Sequence, residues 1–415
     1  MNYITETIAD NSKKTPWHTY IALFFMMYLS SGFGISEMGG TKILLWDLLL
    51  FGYICITNLK LNIGRYGTSV LCLILALLSY LVNGEPSKQI LILMSYFILS
   101  IAYCGSNEWK DTCAAYVKIM HVVCLSSIIL YAIDILAPSM LNALPKVSNG
   151  NFELSTVFVA VSPKNNRNNG MFWEPGAFQT YIFLAFIIEV FHFNAENKKR
   201  LTTLIIALVT TFSTAGYITI LIALIAVLMS GATDRKIKKT ARNTIIIIVL
   251  GAIVSYYIIN TYNPQLAYTL FGKIEAYNQT GEDNSSTGVR VNAIVESFKN
   301  FMDNPVFGVG KTKLQGIFES KYGHEMATCT YANWFAFFGA FFGILMVSGV
   351  YKFTLYFSKK PLVRFIIFIA FMASVTSEDY VINPSMLIWV FYGFAAKYEN
   401  FKNGKEKDNE NIANQ

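Results

Sequence analysis

Long apolar segments recur along almost the whole chain, and each has about the length of a helix that crosses a bilayer. Hydrophobic residues make up 54% of the 415 residues and charged residues only 14%, which separates the chain from soluble domains. A helix satisfies its own backbone polar groups in lipid, so these runs are expected to span as helices. The sequence predicts an all-α polytopic membrane protein that forms a single integral membrane domain over residues 1–415.

We expect about 12 transmembrane helices. Residues 201–231 are long for one span and short for two, and we divide them at the small residues from Ser213 to Gly216. With the N-terminus in the cytoplasm, most of the 33 Lys and Arg residues then fall on the cytoplasmic side, as the positive-inside rule requires. Both termini are therefore predicted to be cytoplasmic, and the net charge of +7 reflects topology and lipid contact, with no role for nucleic acid. The predicted spans are residues 18–35, 41–57, 66–83, 88–104, 113–136, 175–193, 201–213, 216–231, 244–260, 329–350, 363–377 and 384–398.

Two outer segments, about residues 137–174 and 261–328, are too long to be simple connections, so function is expected there. The second contains apolar residues at helical spacing, closed by Asn304-Pro305. This pattern predicts an amphipathic helix from about Gly288 to Asp303, lying on the membrane surface or over a cavity. Arg290 in its first turn is interpreted either as a solvated surface residue or as a clamp for an anion.

The segment from Arg167 to Phe178 places an arginine, the aromatic Trp173 and the carboxylate of Glu174 directly before an apolar helix. Charged groups crowded at a membrane edge indicate a site for an anionic, amphiphilic ligand. Farther along, residues 304–312 end like a phosphate-binding loop, but Pro305 stands where that loop requires glycine. Nucleotide binding is therefore rejected, and the glycines there are expected to form a tight turn.

Four residues of the outer segments remain as candidates for proton transfer and anion binding. His324 stands on an outer loop near a helix entrance, where an imidazole is suited to accept a hydroxyl proton at neutral pH. Glu174 is the rival base, and Lys311 and Lys313 are available to an anionic head group. The six cysteines lie singly and the outer segments carry no acidic cluster, so neither a metal nor a cofactor is expected.

The order of these motifs along the chain resembles that of the O-antigen polymerase (Wzy-type) and O-antigen ligase superfamily. The resemblance rests on Arg-x-x-Gly-x-Phe-x-Glu-Pro from Arg167, Ser-x-x-Gly from Ser213, Arg290 with its helix and Asn-Pro-x-x-Gly-x-Gly, and His324 before an apolar helix. The chain departs from the pattern at Thr214, where many relatives carry arginine, and at Glu325, where asparagine is common.

The resemblance implies metal-independent glycosyl transfer on the outer face of the inner membrane, with an undecaprenyl-diphosphate-linked oligosaccharide as donor. Membrane lipid and a chain-length regulator are the further partners that it suggests. As a polymerase, the protein would transfer the growing chain to a newly flipped lipid-linked repeat. The roles implied are catalytic for Arg290, His324 and Glu174, and substrate-binding for Arg167, Trp173, Lys311 and Lys313.

Two alternatives remain open. A ligase would use the same donor with lipid A-core as acceptor, and the departures at Thr214 and Glu325 favour the polymerase. A twelve-span flippase or transporter is the alternative from another class. The chain shows no half-to-half symmetry and few paired charges at mid-membrane depth, and both features disfavour a transporter.

Overall fold

The computed structural model describes residues 15–31, 40–57, 62–141, 146–149, 152–155, 161–162, 167–230, 235, 237–239, 241–243, 245–246, 286–323, 328–376 and 378–396. Helices dominate the described residues. They are α1 (Trp17–Leu29), α2 (Gly40–Thr57), α3 (Gly67–Val82), α4 (Ser87–Ser106), α5 (Trp109–Leu136), α6 (Pro138–Leu141), α7 (Pro175–Ile187), α8 (Lys198–Thr210), α9 (Thr214–Met229), α10 (Ser286–Asp303), α11 (Lys311–Tyr322), α12 (Thr330–Phe353), α13 (Pro361–Ser374) and α14 (Pro384–Ala396).

The mostly helical membrane architecture is confirmed. Every predicted span except residues 244–260 coincides with a helix, and that segment lies almost entirely outside the described residues, so the number of 12 stays a prediction. Within the described part of the chain, 5 helical stretches are long and apolar enough to cross a membrane. These stretches are Gly64–Val82, Ser87–Ser106, Trp109–Leu136, Pro175–His192 and Thr330–Tyr356.

Two helices, α7 and α14, form the interior of the bundle. Every residue of both helices is buried, although both are apolar enough to face lipid. The hydroxyls of Tyr181, midway along α7, and Ser385, near the start of α14, are 2.7 Å apart, and Trp389 of α14 packs edge-on against Tyr116 of α5. Both helices begin at a proline, which fits the first helical turn because that turn has no partner for an N–H group.

The division of residues 201–231 into two helices is confirmed. Helix α8 ends at Thr210, and α9 begins at Thr214 after a turn in which Phe212 has a φ of 47°. The Ser213 side chain accepts a hydrogen bond from the backbone N–H of Gly216 at 3.3 Å, which caps the N-terminus of α9.

The all-α prediction is corrected by two short antiparallel ribbons in the segment before α7, which a search for long apolar runs does not detect. Strands β1 (Lys146–Asn149) and β2 (Phe152–Ser155) pair with each other, as do β3 (Val161–Ser162) and β4 (Arg167–Asn168). The second ribbon ends at the motif that precedes α7, so it fixes the entry of the chain into the bundle.

The amphipathic helix is confirmed as α10, and it ends at Asp303 directly before Asn304-Pro305. Its packing differs from the predicted apolar face, because Val295 and Met302 are exposed while Glu296 and Ser297 are buried. Ser297 donates a hydrogen bond to Asn333 of α12 at 2.9 Å. The helix therefore packs both polar and aromatic groups against α12, since Phe298 and Phe301 contact Phe335 there, and it leaves Val295 and Met302 exposed.

The tight turn predicted after α10 is also confirmed, and it packs against a kink in α12. Gly308 and Gly310 have φ angles of 66° and 79°, and Gly339 at the kink has a φ of 85°. The N–H of Val309 donates to the carbonyl of Ala336 at 2.7 Å. Both glycines of the turn adopt a left-handed conformation that side chains disfavour, which explains the glycine spacing of the motif.

Candidate functional site

The segment from Arg167 to Pro175 folds into a largely buried turn that leads into α7. The Asn168 amide donates to the hydroxyls of Ser127 in α5 and Thr210 in α8, both at 3.0 Å. Its carbonyl accepts the N–H of Gly170, which has a φ of 55°. These bonds hold the motif in one conformation, with its ends directed toward α8 and α7.

Arg167 connects this motif to the turn between α8 and α9. Its Nε donates to the carbonyl of Thr211 at 2.9 Å, and its Nη2 donates to the carbonyl of Phe212 at 3.0 Å. Carbonyls at the C-terminus of a helix carry partial negative charge, so a guanidinium is stabilised there. The two bonds use only some of the N–H donors of the guanidinium.

Two carboxyl groups meet at the start of α7. Glu174 is the residue before the helix, and Glu378, in the connection between α13 and α14, is 3% exposed. The indole Nε1 of Trp173 donates to Oε2 of Glu378 at 2.9 Å. A Cβ added to Gly176 would lie 2.9 Å from Oε1 of Glu174 and would clash with Oε1 of Glu378. Both carboxyls therefore press against the backbone of Gly176, which leaves no room for a side chain.

The site carries charges of both signs in a buried setting. Burial, together with the charge and hydrogen bond of Glu174, raises the pKa of Glu378 well above its usual range, while Arg290 and Trp173 act in the opposite direction. Burial lowers the pKa of Arg167, and nearby Arg290 lowers it further, whereas Glu174 opposes the change. The two arginines and the two glutamates thus interact electrostatically, although they come from distant parts of the chain.

A cavity of about 280 Å³ adjoins the carboxyl pair. Trp173 and Asp379, the chain neighbours of the two glutamates, line it, so each loop gives one residue to the cavity and one to the pair. Tyr80 and Tyr96 add aromatic surface, and Lys311 adds a cation. The remaining lining residues are Leu29, Ser30, Ile43, Ile92, Phe337, Val381, Ile382, Asn383 and Pro384.

The two candidate lysines are placed differently. Lys311 lines the cavity at the first position of α11, while Lys313 is exposed and does not line it. The N-terminus of α11 already has an anionic partner, since the Glu85 carboxylate accepts bonds from the N–H of Thr312 at 2.8 Å and from its hydroxyl at 2.6 Å. An external anion at this position would have to contact Lys311 from the cavity side.

The structure thus places Arg167, Trp173, Glu174 and Arg290 together and puts Lys311 at the adjoining cavity. Lys313 lies outside this cluster, and His324 lies outside the described residues. Sequence analysis missed Glu378 and Asp379. The signal for them was present, because two carboxylates in a short connection before a proline-initiated apolar helix repeat the arrangement that singled out Glu174. Within the described residues, no group of 3 or more His, Cys, Asp or Glu side chains is arranged to hold a metal ion.

Helices of membrane-spanning length define the class, and the chain is an integral membrane protein. Residues 201–357, less than half of the chain, match a family described as O-antigen ligase. The match confirms the resemblance to the O-antigen polymerase and ligase superfamily, and it covers Arg290, Lys311, Lys313 and His324. No curated protein matches the chain.

Proposed function

We propose that this protein is a surface-polysaccharide polymerase of the inner membrane, with both termini in the cytoplasm and the site on the outer face. It joins oligosaccharide repeats that are carried on undecaprenyl diphosphate. The observation that carries the proposal is the electrostatic interaction of Arg167 with Arg290 and with Glu174, which is next in the chain to Trp173, a residue that lines a cavity with aromatic walls. The family match over residues 201–357 supports glycosyl transfer as the type of reaction.

In the proposed reaction, a sugar hydroxyl of the acceptor attacks the anomeric carbon of the donor. A new glycosidic bond forms as the bond from that carbon to the diphosphate breaks, and lipid diphosphate leaves with the bonding electrons. Arg167 and Arg290 stabilise the developing negative charge, because guanidinium groups match phosphate oxygens and keep their charge at neutral pH. Their positions support a transfer that needs no metal ion.

The proton of the attacking hydroxyl passes to a general base, which is either His324 or Glu174. Glu174 has support from its position next to Arg167 and the cavity residue Trp173. Aromatic faces suit sugar rings, so Trp173, Tyr80 and Tyr96 are proposed to contact a sugar in the cavity. Lys311 at the cavity wall is proposed to contact the diphosphate, and Lys313 to contact lipid head groups.

Arginine substitutions test the charge-stabilising role. Arg167→Ala and Arg290→Ala should each reduce polymer by a factor of about one hundred or more, as expected for loss of transition-state charge stabilisation. Polymer length and amount are measured on gels of surface polysaccharide, with immunoblots of membranes to verify protein level. Lys239→Ala, at an exposed basic site on the proposed cytoplasmic side, serves as the matched control. Full activity of Arg290→Ala would contradict the proposal.

The ligase is the second candidate, favoured because the matched family is described as O-antigen ligase. Deleting the gene from its cell distinguishes the two. A polymerase deletion should leave surface molecules capped with a single repeat, because ligation continues without elongation. A ligase deletion should remove every repeat from the surface while polymer accumulates on undecaprenyl diphosphate. A surface-polysaccharide ladder that the deletion leaves unchanged would contradict both the polymerase and the ligase and would favour a transporter.

A further inference from the structure

Glu378 has no role in the mechanism above, yet it is the most enclosed charged group of the site. It is 3% exposed and comes from the connection before α14, far in sequence from Glu174. Its Oε2 accepts the indole N–H of Trp173 at 2.9 Å, whereas its Oε1 accepts no bond from a donor group among the described residues. A buried carboxylate oxygen without a donor is costly, so this atom requires an explanation.

The carboxyl group of Glu174 lies beside this oxygen atom. Oε1 of Glu378 and Oε1 of Glu174 both face the backbone of Gly176, and the two side chains are close enough for a hydrogen bond. Two ionised carboxylates cannot form one, because neither has a proton to donate. A single proton placed between them satisfies Oε1 of Glu378 and removes the repulsion of two buried like charges.

We propose that Glu378 is a positioning residue whose protonated carboxyl donates a hydrogen bond to the Glu174 carboxylate and orients it toward the reacting hydroxyl. This inference rests on the proposed function, in which Glu174 accepts the proton. We assign the proton to Glu378 because that carboxyl is 3% exposed, whereas Glu174 is only half-buried. Trp173 occupies the second oxygen of Glu378 and so limits rotation of its carboxyl group.

The proposal gives a direction for pH dependence. As the pH rises, Glu378 loses its proton, the hydrogen bond disappears and the two carboxylates repel each other. Positioning is therefore present below the pKa of Glu378 and is lost as the pH rises through it, and burial moves this loss to a higher pH than for a free glutamate. The charged and titratable groups that influence or are influenced by Glu378 are Glu174, Arg167, Arg290, Tyr181 and Tyr380.

Comparing Glu378→Gln with Glu378→Ala tests whether residue 378 acts by donating a hydrogen bond or only by occupying space. The full-length protein is assayed in detergent with lipid-linked repeats extracted from the deletion strain. An amide can donate the same bond, so Glu378→Gln should stay within about threefold of wild type and lose less activity than wild type at alkaline pH. Glu378→Ala should lower kcat by roughly tenfold or more with little change in KM, because the base is no longer oriented. Glu319→Gln, an exposed carboxyl change in α11, is the control.

Infrared spectroscopy of the same purified proteins gives a readout that does not depend on activity. The wild type and Glu319→Gln should show the carbonyl stretch of a protonated carboxyl that disappears at alkaline pH, and Glu378→Gln should lack it. A band that persists in Glu378→Gln, or equal loss of activity in the Gln and Ala variants with unchanged thermal unfolding, overturns the inference. Failure of the proposed function looks different, because the wild type would then be inactive although the band is still lost in Glu378→Gln.

Discussion

At the scale of single residues, the site depends on close approach between side chains and backbone. Gly176 stands in the first turn of α7, and the carboxyls of Glu174 and Glu378 occupy the space where a side chain would lie. Trp173 links this pair to the cavity through its indole N–H and its ring. Because Gly176 has no side chain, the two carboxyls can approach each other at this position.

Gly176→Ala should disrupt the carboxyl pair while leaving the helix intact. Alanine favours helix over glycine by about 1 kcal/mol, but the clash with Glu378 is expected to cost about 1–3 kcal/mol. We expect polymer production to fall by roughly tenfold or more, with a small decrease in the thermal unfolding temperature measured in detergent. Gly316→Ala in α11, where a Cβ meets nothing within 4 Å, should leave polymer production unchanged and should not lower the unfolding temperature. Equal activity of the two variants would argue against tight packing at Gly176.

At the scale of elements, the kink of α12 and the turn after α10 hold each other in place. Gly339 has a φ of 85°, and a Cβ there would clash with the carbonyl oxygen of Val306. The N–H of Ala340 donates to the carbonyl of Pro305 at 2.7 Å, so the break in α12 creates a binding place for the turn. Helix α10, which carries Arg290, is thereby fixed to a helix of the bundle.

Gly339→Ala is expected to loosen α10 as a unit. Gly339, with a φ of 85° and a ψ of −178°, lies in a backbone region that is essentially restricted to glycine and costs other residues about 1–3 kcal/mol, and the clash with the backbone of Val306 adds to this cost. Thermal unfolding should begin at a lower temperature, and proteolysis near α10 should become faster, with polymer production lost through displacement of Arg290. In Gly52→Ala of α2, a Cβ meets nothing within 4 Å, and this variant should behave like the wild type. An unchanged rate of proteolysis in Gly339→Ala would show that the kink of α12 does not hold α10 in place.

At the scale of the whole molecule, the sequence predicted the helices better than it predicted the site. Apolar runs and proline or glycine punctuation locate α7, α10 and the break at Ser213, because these signals are local. The sequence did not reveal that α7 and α14 are completely buried, since a helix that faces lipid and a helix that is buried in protein have similarly apolar sequences. The meeting of Glu174 with Glu378 depends on that burial and was therefore not predictable from either segment alone.

For the polymerase proposed above, the shared use of two loops limits how the preference for a sugar can change. Trp173 and Asp379 line the cavity, and their neighbours Glu174 and Glu378 form the carboxyl pair. A substitution in either loop that reshapes the cavity will also disturb the proton between the carboxyls. Diversification toward a new repeat unit is thus expected to proceed through the other walls of the cavity, on α3 and α4, which can vary without altering the chemistry.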